Sequence, residues 1–322
     1  MTRLIGHRQQ VDALVDAARS GRLHHAWLLA GPQGVGKATF ADLAARWLLA
    51  TAADPGIAGA GLAVPDGNRI AALIDAESHP DFKKLERLEK DRSEELARSI
   101  TVDQVRGLQR LFATTPSMSS RRVVIIDALD DLERSAANAL LKNLEEPPTD
   151  TVFLLVSHAP GRLLPTIRSR CRVLRFEPLD DAEVTDVLRA TLSDADAGEI
   201  ATLAALAGGA PGNAIRFAGL DIAGLDAAID RIALEGDASN ALRSALARSL
   251  SGKAAQARYE AFLERAPSRI AAAAREGGDI REKVALWREA RDIADQAVRI
   301  SLDQQTTVFE LAGLVARLAP QR

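Results

Sequence analysis

With 322 residues the chain is long for one domain and predicts two or three packed units, each able to bury a core without disulfide or metal staples. A composition 47% apolar but only 4% aromatic fits Leu/Ala/Val cores in an α/β protein rich in helix, and a formal charge of −3 excludes a basic field over the whole surface, so any nucleic-acid contact is local. The single cysteine excludes an internal disulfide framework and a Cys-rich zinc centre, and without an apolar run of membrane-spanning or signal-peptide length the expectation is a soluble, cytoplasmic chain with no membrane partner.

From Gln9 to Arg19 the positions Val11, Leu14, Val15 and Ala18 recur at helical spacing, and Ser20-Gly21 ends this first helix. His25-Ala-Trp-Leu-Leu-Ala30 predicts a strand that meets a Gly-rich turn and then a helix over Lys37 to Ala50. Residues 51–68 have no period and read as a surface loop; a strand is expected to begin within His79-Pro-Asp-Phe82, and Lys83 to Arg92 reads as a solvated charge run. Thr101 to Phe112 carries Val102, Val105, Leu108 and Leu111 on one helical face. Val123 to Ile126 and Val152 to Val156 are short β-rich runs of the kind buried in a parallel sheet, and the helix between them, Ser135 to Glu145, stops at Pro147-Pro148. Strands alternating with helices predict right-handed crossovers and a sheet covered on both faces.

Past Phe176-Glu-Pro-Leu179, residues 182–190, 197–207 and 210–217 read as three short helices. Beyond Gly219 the pattern is entirely helical, with Val284, Trp287, Ala290, Ile293, Ala294, Val298 and Ile300 expected on one buried face. The expected boundaries are therefore 1–177, an α/β nucleotide-binding-type domain; 178–218, a small helical unit; and 219–322, an all-α domain.

Gly31-Pro-Gln-Gly-Val-Gly-Lys37 follows the first strand and opens a helix, which is the setting a phosphate-binding P-loop requires. Gly31, Gly34, Val35 and Gly36 supply backbone N–H groups, Lys37 a point charge, and Ala38 and Thr39 the positive end of the helix. The motif lacks the hydroxyl that should follow the lysine to hold Mg²⁺, since Ala38 stands there and Thr39 lies about 100° further round the helix. Asp127 ends a buried strand where a second nucleotide motif would reach a Mg²⁺ water, although an Asp at a strand end also serves as a cap or turn former.

Three stretches resemble the clamp-loader family of bacterial DNA polymerase: Leu23-His-His-Ala-Trp-Leu-Leu-Ala-Gly31, Ser135-Ala-Ala-Asn-Ala-Leu-Leu-Lys-Asn-Leu-Glu-Glu-Pro-Pro148, and Leu163-Leu-Pro-Thr-Ile-Arg-Ser-Arg-Cys171. With the P-loop they span residues 4–216, about two thirds of the chain. The resemblance implies a RecA-like AAA+ domain with a parallel sheet, a helical lid and an all-α collar that joins five subunits. It makes Arg170 of Ser169-Arg170-Cys171 an arginine finger acting in trans on a neighbour's ATP, beside the plainer reading of an arginine paired with a local acid. Ser157 falls where a first sensor probes the γ-phosphate, and Gly212 where a hydrolysing relative carries a second-sensor arginine, with Arg216 one turn away. Active relatives follow the second-motif Asp with Glu, where this chain has Ala128; Asp130 is too distant along the chain to inherit that role safely. Many relatives carry a four-Cys zinc module, but residues 51–79 hold no cysteine, so no zinc is expected.

These departures imply a hydrolysis-deficient member whose partners are gamma/tau and delta subunits, with a sliding clamp and primed DNA in the assembly. ATP or ADP remains a candidate cofactor, with Mg²⁺ only if nucleotide binds. The alternatives are a hydrolysing gamma/tau-type ATPase and an AAA+ adaptor gripping DNA or protein. Arg121, Arg122, Arg134 and Lys142 cluster in sequence as candidate phosphate contacts, against the plainer reading of solvated surface charge.

Overall fold

The computed structural model describes residues 4–57, 61–89, 96–300 and 302–320. The end of the charge run, 90–92, and the side chains of Val298 and Ile300 lie outside the described residues. Contacts divide the chain into two compact units, Met1–Ile215 and Arg216–Arg322.

The first unit begins with α1 (Arg8–Arg19), β1 (Ala26–Ala30), α2 (Lys37–Ala53), α3 (Arg69–Asp75) and β2 (Phe82–Glu86). It continues through α4 (Val102–Phe112), β3 (Arg122–Asp127), α5 (Arg134–Glu145), β4 (Thr151–Ser157), α6 (Pro165–Arg168) and β5 (Arg172–Arg175). All five strands are parallel, in the order β2-β3-β4-β1-β5. This is the expected α/β architecture, a RecA-like AAA+ domain. Period-2 alternation sorts the strand residues between two cores: Trp27, Leu29, Val123, Ile125, Leu154 and Val156 face α1 and α2, while Leu28, Val124, Ile126, Phe153 and Leu155 face α4 and α5. Every residue of β1 and β4 is buried, as expected of strands covered on both faces.

The structure departs from the sequence expectations at the edges. The first four residues of the supposed charge run, 83–86, are strand: Phe-Lys-Lys-Leu-Glu of β2 is a charged edge strand, with Lys84 on the sheet face covered by α2. The strand itself starts at Phe82, within the expected stretch, and the buried carboxylate of the preceding Asp81 accepts the backbone N–H groups of Ser117 and Met118 at 2.8–3.0 Å. Helix α2 runs three residues past its expected end, and α3 is new, nucleated by Asn68, whose side chain accepts from the Ile70 and Ala71 amides at 2.9 and 3.1 Å. The other edge strand, β5, is likewise additional to the strands expected from the sequence.

Three helices follow, α7 (Asp181–Thr191), α8 (Ala197–Ala207) and α9 (Pro211–Arg216). Residues 178–215 fall within the first compact unit: the Leu179 N–H donates to the Gly209 carbonyl at 2.8 Å, and Ala210 is buried in the core on the α2 face.

The described part of the second unit contains α10 (Ile222–Glu235), α11 (Ala241–Ser249), α12 (Gln256–Arg275), α13 (Ile280–Ile300) and α14 (Gln304–Ala316). Arg265 and Arg269 of α12 pair with Asp226 and Asp230 of α10. Lys283 folds back on the end of α12, donating to the carbonyls of Ala273 at 2.9 Å and Gly277 at 2.5 Å. The buried stripe of α13 is Leu286, Ala290, Ala294 and Ala297. Trp287 is 38% exposed, so the face read from the sequence is rotated: small alanines let α13 pack closely, and the large ring stays outside.

Candidate functional site

The sheet order puts β1 between β4 and β5, and the loop leaving its C-terminal end is Gly31 to Gly36. Ligands of open α/β folds bind at this end of the strands. Gly34 and Gly36 have φ of +79° and +107°, conformations that L side chains rarely adopt, and Gly36 leads directly into α2. Gly31 is fixed by proximity, since a Cβ there would lie 2.2 Å from the Phe176 carbonyl oxygen. Val35 is buried in the core, and His7, which no motif singles out, has Nε2 2.7 Å from the Val35 carbonyl oxygen.

Lys37 is only 3% exposed, and its ammonium donates to the carbonyls of Gly31 (2.7 Å) and Pro32. Burial brings its pKa down to about 8 against the opposing charges of Asp127 and Asp130. Ala38 and Thr39 form the first turn of α2, where Ala38 offers no oxygen ligand.

At the end of β3, Asp127 stands opposite Glu86 of β2. Burial raises the Asp127 pKa, with Lys84 and Lys37 opposing and Asp42 and Glu86 adding to the rise. Ala128 is buried and has no group to orient a water molecule. The residues do not fit a divalent-cation site: the hydroxyl is missing at Ala38, a lysine stands among the carboxylates, and the described residues contain no group of three His, Cys, Asp or Glu arranged to hold a metal.

Ser157 is fully buried at the end of β4, and its hydroxyl donates to Asp130 at 3.2 Å. The same carboxylate accepts the backbone N–H groups of His158 and Ala159 at 2.6 and 3.0 Å. Asp130 thus binds the β4 terminus to the turn after β3, a role its sequence position does not reveal. Gly212, the position read as a second sensor's, lies against the P-loop. The Gly212 N–H donates to the Gly34 carbonyl at 2.8 Å, and a Cβ on Gly212 would lie 2.8 Å from the Gly34 Cα, so the start of α9 rests directly on the P-loop backbone.

Arg170 is remote from all of this. It precedes β5, at the N-terminal end of a parallel sheet whose C-terminal end carries the P-loop, and the four residues of β5 alone span roughly 13 Å. Its guanidinium donates to the Thr166 carbonyl at 2.9 Å and pairs with Glu145 at the end of α5 at 2.8 Å. The Ser-Arg-Cys stretch and the Glu-Glu-Pro-Pro stretch therefore meet in space through one ion pair. Neighbouring Cys171 is held inert, its thiol pushed up to about 12 by burial.

The basic residues clustered in sequence do not make one patch. Arg122 is 3% exposed at the start of β3, whereas Arg134 follows the end of that strand, so they lie at opposite ends of the sheet. No helix among the described residues is long and apolar enough to cross a membrane.

The family model described as "DNA polymerase III, delta subunit" matches residues 6–180, more than half of the chain. The DNA polymerase III subunit delta' of Pseudomonas aeruginosa is 42% identical over 196 residues, 61% of this chain and 56% of that protein. The corresponding delta' subunit of Bacillus subtilis is 35% identical over 177 residues, 54% and 49% of the two chains. A DNA polymerase III subunit gamma from Buchnera aphidicola is 32% identical over 188 residues, 58% of this chain and 47% of the relative. Each match spans about half the length of the relative.

Proposed function

The chain belongs to the DNA polymerase III delta subunit family, and from that premise we propose that it serves as a delta-prime subunit of a sliding-clamp loader, promoting hydrolysis in a neighbour instead of performing it. In this reading Arg170 enters the ATP site of an adjacent gamma/tau subunit and stabilises the negative charge that develops on the transferring phosphoryl group. The observation that carries the reading is the position of Arg170. It stands at the end of the sheet opposite the chain's own P-loop, so its charge is of no use to a nucleotide held there, while Glu145 keeps the guanidinium oriented near the surface. Fingers of this kind are worth about 10³–10⁵ in turnover.

The chain's own loop favours the same division of labour. Ala38 and Ala128 lack a metal-holding hydroxyl and a water-orienting carboxylate, and Gly212 lacks a cationic sensor. The hydrolysing alternative would require all three to be compensated. ATP or ADP held without turnover, as a structural ligand of Gly34, Gly36 and Lys37, is compatible with the reading. The partners in this proposal are gamma/tau and delta subunits, with the clamp and primed DNA in the assembled cytoplasmic machine, and three units are assigned to it: AAA+ domain (1–177), lid (178–218) and collar (219–322).

The test is Arg170→Ala in a loader reconstituted with gamma/tau and delta subunits. DNA- and clamp-stimulated ATPase should fall by about 10³, with assembly by gel filtration unchanged. Turnover equal to that of the wild type removes the trans-acting role.

A further inference from the structure

P-loop sites hold their divalent cation between a hydroxyl on the first turn of the P-loop helix and the carboxylate that ends a neighbouring strand. Ala38 removes the first of these ligands, and the structure has a cation of its own beside the second. The β2–β3 register sets Glu86 opposite Asp127 and Lys84 opposite Ile125, so Lys84, Glu86 and Asp127 share one face of the sheet, the face covered by α2. Lys84 Nζ lies 3.6 Å from Asp42 Oδ2 of α2 and 3.4 Å from Glu86 Oε2. Burial acts to lower the Lys84 pKa, yet Asp42, Glu86 and Asp127 together outweigh it and hold the ammonium above the ordinary lysine value. In turn, Lys84 opposes the effect of burial on Asp127 more strongly than the P-loop Lys37 does.

We propose that the Lys84 ammonium is the resident counter-cation of the second nucleotide motif, compensating Asp42, Glu86 and Asp127 so that the site takes no divalent cation. Three features converge on it. The ammonium contacts a carboxylate from the P-loop helix and another from its own strand, as a bridging ion would. It is delivered by a strand, fixed in register by the β2–β3 ladder, so the charge does not depend on a loop closing. A divalent ion approaching Asp127 would meet this fixed positive charge while lacking the oxygen that Ala38 does not supply. Lys37, whose hydrogen bonds go to P-loop carbonyls, is not free to do the same work. Any nucleotide that binds here then does so without Mg²⁺. The assignment holds whether or not Arg170 acts on a neighbour.

Two measurements on the full chain test it. Titrating Mn²⁺ into the wild type and following the free ion by electron paramagnetic resonance should show no stoichiometric binding; one bound Mn²⁺ per chain, lost in Asp127→Asn, overturns the proposal. A double-mutant cycle then probes Lys84 against Asp127 by thermal unfolding. Lys84→Met should lower Tm by roughly 2–4 °C, Lys84→Arg should restore most of the loss, and Lys84→Met should cost much less when residue 127 is already changed by Asp127→Asn. An equal cost in both backgrounds overturns the proposal. The Mn²⁺ titration uses a wild-type chain, so it can overturn the proposal even if Lys84→Met does not fold.

Discussion

Single side chains around the P-loop carry charges that differ from what their types suggest, and His158 shows the consequence most directly. Burial and the nearby Lys37 depress its pKa to about 4, against the pull of Asp130. In the unfolded chain the same imidazole takes up its proton near 6.5, so between these values the unfolded state binds more protons. The stability conferred by neutral His158 is therefore complete above about pH 6.5 and is lost as the pH falls towards 4, an effect on the order of 3 kcal/mol. His7, His25 and His79 are lowered by burial as well and add to the same slope. Urea midpoints measured from pH 7.5 to 4.5 should fall more steeply for the wild type than for His158→Gln; parallel curves would mean that His158 does not contribute. The Arg170–Glu145 pair belongs to a different category. Its side chains are 34% and 48% exposed, so Arg170→Ala should cost the fold no more than about 1 kcal/mol, and a large loss of turnover could not be blamed on misfolding.

At the scale of elements, the start of α9 and the P-loop touch backbone to backbone. Gly212→Ala would place a methyl 2.8 Å from the Gly34 Cα, where neither main chain can yield cheaply, and should cost about 1–3 kcal/mol. Gly107 in α4 is the control, with nothing within 4 Å of an added Cβ; there Gly→Ala should stabilise by about 0.5–1 kcal/mol. Urea denaturation of the two variants should move in opposite directions, and a neutral Gly212→Ala would show that the contact is loose. Lys283→Met gives a second test of element packing. Removing an ammonium bound to two carbonyls at the end of α12 should cost about 1–2 kcal/mol, readable as a lower Tm. Elements were legible in the sequence where burial writes a simple pattern. The strands β1, β3 and β4 are continuous apolar runs because both their faces are covered, whereas β2 and β5, as Phe-Lys-Lys-Leu-Glu and Arg-Val-Leu-Arg, carry the charges of sheet edges and conceal their period.

For the whole molecule the same contrast governs the candidate site. Its local part, the loop from Gly31 to Lys37 and the deficits at Ala38 and Ala128, is visible along the chain because adjacent residues form it. Lys84, Asp130, His7 and the Glu145–Arg170 pair are brought in by strand register and helix packing, which no local window contains. The resulting chain has a P-loop at one end of its sheet with its own lysine among the acids, and an oriented arginine at the other end. On the proposed function, such a chain would act on a neighbour's nucleotide and leave its own unhydrolysed. The most direct test is ATPase activity of the purified chain, alone and then combined with gamma/tau and delta subunits, clamp and primed DNA. The account predicts no turnover by the chain alone and stimulated turnover in the mixture that depends on its presence; robust hydrolysis by the chain alone would contradict it.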